Sequence, residues 1–275
     1  MKISEITQAI EAFAPLSLQE DYDNAGMQVG NPEAEVTGVL LCTDVREDTL
    51  DEAIERGANL IISHHPLIFH GLKKIVGNSY IECIVTRAIK NDISIYAAHT
   101  NMDSAQGGVN FKIAEKLGMR NVQVLESQPP HAGYDAPSGL GVIGEVDPID
   151  AIPFLKRVKE VFEVAAVRYS GDTDRQVSRI ALCGGAGAFL MKKALELRAD
   201  VFITGDMKYH DFMGYENRII LADIGHYESE HFTKEIFYEI IMKKNPTFAV
   251  DFAKSEKIKL NICNNGYKTR QRTHR

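Results

Sequence analysis

Leu60-Ile61-Ile62-Ser63-His64-His65-Pro66-Leu67-Ile68-Phe69 is the stretch from which the rest of the chain can be read. The apolar run Leu60 to Ile62 predicts a buried strand, and it ends at two adjacent histidines. Pro66 keeps His65 extended and stops a helix from starting there. In open α/β sheets ligands sit beyond the carboxyl ends of strands, which is where these two imidazoles fall. Taken alone, the pair also reads as one outward ring and one ring satisfied by a backbone carbonyl. The case for a site comes from the sequence on either side.

Upstream, Ser4 is the expected N-cap of an amphipathic helix carrying Ile6, Ile10 and Phe13, with Pro15 beyond its end. Asp21 to Gly30 is a turn-rich loop that reads equally as scaffold or as the edge of a site. Val36 to Cys42 predicts a strand. Glu47 to Arg56 predicts a helix with Leu50, Ala53 and Ile54 inward and Gly57 as its stop. Downstream, a helix near Tyr80 to Asn91 leads to a strand over Ile93 to Ala98. That strand delivers His99-Thr100-Asn101-Met102-Asp103. A helix near Val109 to Leu117 and a short strand at Val122 to Leu125 complete the first half. Strands alternating with helices at this spacing predict an α/β fold with a largely parallel sheet.

The first half is then repeated. Ile180 to Cys183 matches Val39 to Cys42, and Ala199 to Thr204 matches Ala58 to Ser63, both at an offset of 141 (183 − 42 and 199 − 58). Past the His-His loop the offset falls to 127 (226 − 99), where Ile220 to Glu230 matches Ile93 to Asp103. The second copy therefore lacks 14 residues (141 − 127) that follow His65 in the first. Two related β-α-β-α-β-α lobes with a cleft between them are expected. The boundaries are 1–127 and 128–250, with 251–275 as a C-terminal extension.

The repeat gives the polar residues their meaning. Corresponding strands end in His-x-x-x-Asp (His99, Asp103) and His-x-x-x-Glu (His226, Glu230). Each offers an imidazole and a carboxylate, the ligand types suited to zinc, iron or manganese. With His64 and His65 the candidate metal set is His64, His65, His99, Asp103, His226 and Glu230. Two lobes facing across a cleft can hold two divalent ions about 3.5–4 Å apart with a carboxylate between them. Asp103 is one candidate for that bridge. His210, in Asp206-Met207-Lys208-Tyr209-His210, reads either as a proton shuttle or as a half-exposed structural residue. Cys183-Gly184-Gly185-Ala186-Gly187 reads as close helix–strand packing before it reads as a phosphate cradle, because it lacks a complete nucleotide fingerprint.

Composition narrows the function. A net charge of −7 argues against general affinity for nucleic acid. No apolar stretch approaches the ~20 residues of a membrane span. The N-terminus has no signal-peptide core. Four scattered cysteines, Cys42, Cys83, Cys183 and Cys263, read as reduced thiols of a cytoplasmic protein. The tail ends in Lys268, Arg270, Arg272 and Arg275, a charged terminus expected to be solvated.

Together, Asp23-Asn24-Ala25-Gly26, Ser63-His64-His65-Pro66, His99-Thr100-Asn101-Met102-Asp103, Gly139-Leu140-Gly141 and Gly225-His226-Tyr227-Glu228-Ser229-Glu230 resemble the GTP cyclohydrolase 1 type 2 homologue family, NIF-three-like proteins with a dinuclear metal centre. The resemblance runs to about Val250. It implies metal ligands His64, His65, Asp103, His226 and Glu230, with His99 beside the ions as a catalytic or orienting group. It also implies a homohexamer whose sites face an internal cavity, and a metal-dependent hydrolase with a nucleotide as substrate. This chain carries Met102 where many members have an aromatic residue, and the tail from Asp251 has no counterpart in the resemblance. Phosphoester or nucleic-acid hydrolysis and a non-catalytic metal-binding scaffold stand as alternatives, because fold and metal do not choose among them.

Overall fold

The computed structural model describes residues 1–215 and 217–255; Cys263 and the basic end of the tail lie outside them. In chain order the elements are α1 (Ile3–Phe13), β1 (Gly26–Val29), β2 (Val39–Cys42), α2 (Glu47–Arg56), β3 (Leu60–Ser63), α3 (Tyr80–Lys90), β4 (Ser94–Ala97), α4 (Thr100–Ser104) and α5 (Val109–Lys116). There follow β5 (Arg120–Ser127), β6 (Gly139–Asp150), α6 (Ala151–Val161), β7 (Arg168–Ser170), β8 (Gln176–Leu182), α7 (Met191–Glu196), β9 (Val201–Thr204), β10 (Ile220–Asp223), α8 (His226–Glu230), α9 (Thr233–Lys244) and β11 (Val250–Phe252).

Two sheets form, in strand orders β1-β4-β3-β2-β11 and β5-β6-β8-β9-β10-β7. The repeat is visible in the register. Val39 pairs with Leu60 in the first sheet and Ile180 with Val201 in the second, both parallel. The third strand of each copy, β4 or β10, is parallel to the second and borders a short antiparallel strand, β1 or β7. The 14 residues missing from the second copy fall where the first has the loop after His65 and helix α3. In their place the second has a single 3-10 turn, Tyr209–Phe212.

Strand sequences such as Leu60-Ile61-Ile62 are apolar on both sides because both faces of each sheet are covered. Leu41, Leu60, Ile62 and Tyr96 of the first sheet share one core with Ile180, Leu182, Val201, Ile203 and Ile220 of the second. Helices α1, α5 and α9 contribute Ile6, Ile10, Val109, Ile113, Ile236 and Phe237 to that same core. The outer face of the first sheet (Leu40, Ile61, Ile95) is closed by Leu50, Ala53, Ile84 and Ala88 of α2 and α3. The outer face of the second (Ala181, Phe202, Leu221) is closed by Met191 and Ala194 of α7. Fully burying such aliphatic and aromatic side chains contributes about 1.5–3 kcal/mol each, so the shared core binds the two sheets into one body.

Helix ends follow local chemistry. Gly57 ends α2 in the left-handed region at φ 67°, as expected from the sequence. The Oγ of Ser79 starts α3 by accepting from the Glu82 N–H at 3.2 Å. Helix α1 begins earlier than expected. Lys2, not Ser4, holds the N-cap place, because the Glu5 carboxylate reaches back to the Lys2 N–H at 2.6 Å. Leu50 and Ala53 are buried as expected, whereas Ile54 is 38% exposed.

The lobes exchange strands, so the sheets do not divide at residue 128. Strand β5 leaves the first lobe and pairs antiparallel with β6 in the second sheet. Strand β11 returns from the far end of the chain and pairs with β2, Val250 opposite Val39 and Phe252 opposite Leu41. Asp251 and Phe252 therefore belong to the first sheet, and residues 253–255 are bonded beside it, rather than beginning a separate extension. The Ala253 N–H donates to the Leu41 carbonyl at 2.8 Å, and Arg56 pairs with Asp251 at 3.0 Å. The Glu52 carboxylate accepts from the Lys254 and Ser255 N–H groups and from the Ser255 hydroxyl. The physical reason is that β2 is buried along its whole length and its second edge needs a partner. Among the described residues, no helix is long and apolar enough to cross a membrane.

Candidate metal centre

The site is built at the carboxyl ends of parallel strands from both sheets. Strand β2 leads to Asp44, β3 to His64 and His65, and β4 to His99 and, through α4, Asp103. In the second sheet β9 leads to Asp206, and β10 leads to His226 and, through α8, Glu230. The four-residue spacing in each short helix puts the imidazole and the carboxylate on the same side of one turn. The loops after β9 and β10 are tied together by Asp223. Its carboxylate accepts from the Met207 and Gly225 N–H groups and pairs with Arg168.

Each of the four imidazoles has its Nδ1 occupied. His64 donates to the Ala98 carbonyl at 3.0 Å, His65 to Asp44 at 2.9 Å, His226 to Asp206 at 2.7 Å and His99 to Asp23 at 2.7 Å. A carbonyl can only accept, and an ionised carboxylate likewise. Each ring therefore carries its proton on Nδ1, and in its neutral form turns an Nε2 lone pair away from that partner. His65 and His226 bring those Nε2 atoms to 3.2 Å from each other. The same two atoms lie 3.0 and 3.1 Å from Oε2 of Glu230. His64 Nε2 stands 3.6 Å from Oε1 of Glu230 and 3.7 Å from Oδ1 of Asp103. Lone pairs thus face lone pairs around Glu230, an arrangement that only a proton or a cation relieves.

Two of these buried atoms, His64 Nε2 and Asp103 Oδ1, have no hydrogen-bond partner, and Glu230 Oε2 has none while the rings of His65 and His226 are neutral. Buried polar atoms left unpaired cost about 1–3 kcal/mol each, more when charged, so their clustering is the mark of a ligand site. Three groups of ligand atoms lie within 4.8 Å of one another: His64, Asp103 and Glu230; His65, His226 and Glu230; and His64, His65 and His99. The residues present fit a metal ion. Glu230 belongs to two of the groups and Asp103 to one, so Glu230, rather than the candidate Asp103, is the carboxylate placed to be shared.

The electrostatics agree. Burial pushes the Asp103 carboxyl well up, and the neighbouring Glu230 charge pushes it further. Burial acts the same way on Glu230, but the facing imidazoles outweigh it and hold that carboxyl well below its ordinary value. Burial lowers His64. Burial also opposes the charged form of His65 and His226, yet Asp44 and Glu230 lift His65 to about 10, and Glu230 with Asp206 lifts His226 to about 9. The carboxylates are thus placed to attract positive charge at Nε2.

Glycine makes room for this. A Cβ on Gly185, at φ 63°, would overlap Glu230 Oε1 and lie 3.1 Å from its Cδ. The Gly185 N–H donates to Ser229 Oγ at 2.8 Å, the Gly184 N–H to Asn110 at 2.9 Å and the Gly187 N–H to Thr204 at 2.8 Å. With these amides spent inside the protein, the Cys183–Gly187 loop packs against Glu230 and does not cradle a phosphate.

The structure brings His64, His65, Asp103, His226 and Glu230 together and sets His99 beside them, 5.2 and 5.3 Å ring to ring from His64 and His65. His210 is exposed on the 3-10 turn with its ring edge against Tyr209, and it joins none of the ligand groups. Met102 is fully buried in the shared core. Sequence reasoning passed over Asp44 and Asp206 as imidazole partners. The repeat held the signal for one of them: at the offset of 141, His65 aligns with Asp206 (206 − 141 = 65).

Comparison with known proteins gives the family. The chain is 36% identical over 232 residues to the GTP cyclohydrolase 1 type 2 homolog of Clostridium perfringens, a match covering 84% of this chain and 87% of that one. It is 35% identical over 251 residues to the protein of the same name from Lactococcus lactis, covering 90% and 93%. Among solved structures, a Bacillus cereus protein related to NIF3 superposes with a TM-score of 0.84 at 26% identity, covering 95% of this chain and 99% of that one. Residues 1–260 match the family described as Duf34/NIF3 (NGG1p interacting factor 3), and the chain belongs to that family.

Proposed function

We propose that this protein is a hydrolase dependent on two divalent metal ions, zinc, iron or manganese, with a nucleotide-type substrate. The observation that carries the reading is the set of Nε2 lone pairs and partnerless buried carboxylate oxygens converging on Glu230. His64, Asp103 and Glu230 would hold one ion, and His65, His226 and Glu230 the other. Such a pair supplies Lewis acidity and lowers the pKa of water toward neutrality.

The chain's own residues do the remaining work. Asp44 and Asp206 lock the rings of His65 and His226 in the tautomer that keeps Nε2 free. Asp23 does the same for His99. It is itself fixed by the Thr100 N–H at 3.0 Å and the Thr100 hydroxyl at 2.5 Å. His99 Nε2 is thereby the position at which a proton is taken or returned during turnover. The nucleotide part of the reading rests on the names of the curated relatives. As in the family resemblance, the protein is proposed to assemble as a homohexamer in the cytoplasm; a monomer by light scattering at micromolar concentration removes the hexamer.

The test is metal analysis of purified wild type, His65→Ala, Glu230→Ala and the His226→Ala/Glu230→Ala pair, followed by a screen of GTP, other nucleotides and phosphoesters. About two ions per chain in the wild type and at least one fewer in each variant are expected, with formate released from GTP as the mark of ring opening. Two ions retained in the double variant would refute the shared site. A metal-loaded protein that turns over nothing in the screen leaves a binding scaffold.

A further inference from the structure

Five aromatic and imidazole rings run in a row from solvent to the centre of the site. Tyr22 lies 6.4 Å from Phe69, and Phe69 lies 6.1 Å from His99. His99 is 5.3 Å from His65, and His65 is 5.1 Å from His226. The inner rings are polar and held by carboxylates. The outer two are not: Tyr22 is 62% exposed and Phe69 is 36% exposed. Two exposed rings beside a buried polar cluster are placed to meet a flat apolar group at the mouth of the site.

The backbone beside the two outer rings is also tied down. The Asn24 side chain donates to the Ile68 carbonyl at 2.6 Å, and the Ile68 N–H donates to the Gln28 side chain at 3.2 Å. The backbone beside Phe69 is thus bound to the loop that carries Tyr22. Asp23, next to Tyr22, is anchored in turn to His99 and Thr100. The two rings incline at 50° to each other. A backbone ordered in advance lowers the entropy lost when a ligand docks.

We infer that Tyr22 and Phe69 form an aromatic shelf that takes a planar heteroaromatic ring of the substrate and delivers its edge to His99 and the site behind it. This deepens the proposed function and rests on it for the chemistry at the buried end. The substrate class it names is a ring-bearing molecule, with a nucleobase on the shelf, as opposed to a simple sugar phosphate. Stacking on aromatic side chains tolerates any base because every base has a π-face. The shelf therefore selects for the presence of a ring and not for its identity. A pure cover over His99, which only keeps water out, would make no such distinction.

The experiment is calorimetric titration of the full chain, metal-loaded, with guanosine 5′-monophosphate and, in parallel, ribose 5-phosphate. Wild type is expected to bind the nucleotide at least tenfold more tightly than the sugar phosphate. Phe69→Leu and Tyr22→Leu should each weaken nucleotide binding by about 5- to 150-fold, the range of one stacking contact. Both should leave ribose 5-phosphate binding and metal content unchanged, and Phe69→Tyr should keep nucleotide binding. Equal loss for both ligands, or nucleotide binding within twofold of wild type in both leucine variants, overturns the shelf. Nucleotide binding that depends on Phe69 in a chain that takes up no metal upholds the shelf and removes the metal-dependent reading. Two bound ions with no preference for the nucleotide do the reverse.

Discussion

Glycine 185 offers the sharpest test of the site, because a second glycine in the same chain serves as its control. Gly57 and Gly185 have nearly the same left-handed backbone, at φ 67° and 63°. A Cβ on Gly57 would meet nothing within 4 Å, whereas one on Gly185 would overlap Glu230 Oε1. Replacement by alanine costs each about 1–2 kcal/mol of backbone strain. Gly57→Ala should show that cost alone, with metal content and affinity as in the wild type. Gly185→Ala must also move the Glu230 carboxylate, and through it the contacts to His64, His65 and His226. Disturbing groups that only orient metal ligands weakens binding 10- to 100-fold. Displacing the carboxylate common to both ligand groups should reach at least the upper end, ~2.7 kcal/mol of binding energy. Denaturant titration of the metal-free proteins measures the first quantity, and competition with a chromogenic chelator measures the second. If Gly185→Ala binds metal like Gly57→Ala while showing the same loss of stability, Glu230 is not the shared ligand.

Three further outcomes follow from the geometry. Asp44→Asn and Asp206→Asn should each lower metal affinity about 10- to 100-fold in the chelator competition while the circular dichroism spectrum is unchanged, since each only orients an imidazole. Truncation after Val250 should destabilise the chain by several kcal/mol in thermal or denaturant unfolding, because it removes most of β11, the Ala253–Leu41 bond and three hydrogen bonds to Glu52, at about 1 kcal/mol each; a change under 1 kcal/mol would mean that β11 does not hold the edge of β2. Asp23 supplies a pH signature: burial alone would raise it, but His99 and Thr100 hold its carboxyl at about 2, below its ordinary 3.8. Its contribution, about 2 kcal/mol, is fully present above pH 4 and lost as pH falls toward 2, so Asp23→Asn should flatten the acid side of the stability–pH curve in that window.

The parallel core strands were legible because residues such as Leu60-Ile61-Ile62 must be buried on both faces, and the repeat offset located their equivalents. The ligand-type residues were legible for a related reason: strand ends are where a parallel sheet presents side chains to a crevice. Other features were hidden by distance along the chain. Nothing in Val250-Asp251-Phe252 says which edge it will pair with, since a three-residue strand of mixed polarity is set by the partner that needs it. Asp44 was invisible because a lone aspartate after a strand is ordinary turn chemistry until an imidazole is placed 2.9 Å away. That Glu230 and not Asp103 falls into two of the ligand groups depends on how two lobes close on each other, which no local pattern encodes.

The return of β11 has a consequence for how the molecule is made. Strand β2 is synthesised early, yet its second neighbour lies 211 residues later, from position 39 to position 250. Every strand of the second sheet falls between Arg120 and Asp223, so that sheet has all its members before β11 exists. The lobe begun first is thus the lobe finished last. Until then Val39-Leu40-Leu41-Cys42 presents an apolar, unpaired edge, the kind that recruits other chains. Pairings so distant in sequence form slowly, since a large loop must close before any contact rewards it. Refolding should therefore show a late phase reported by the first sheet, with aggregation competing during that interval.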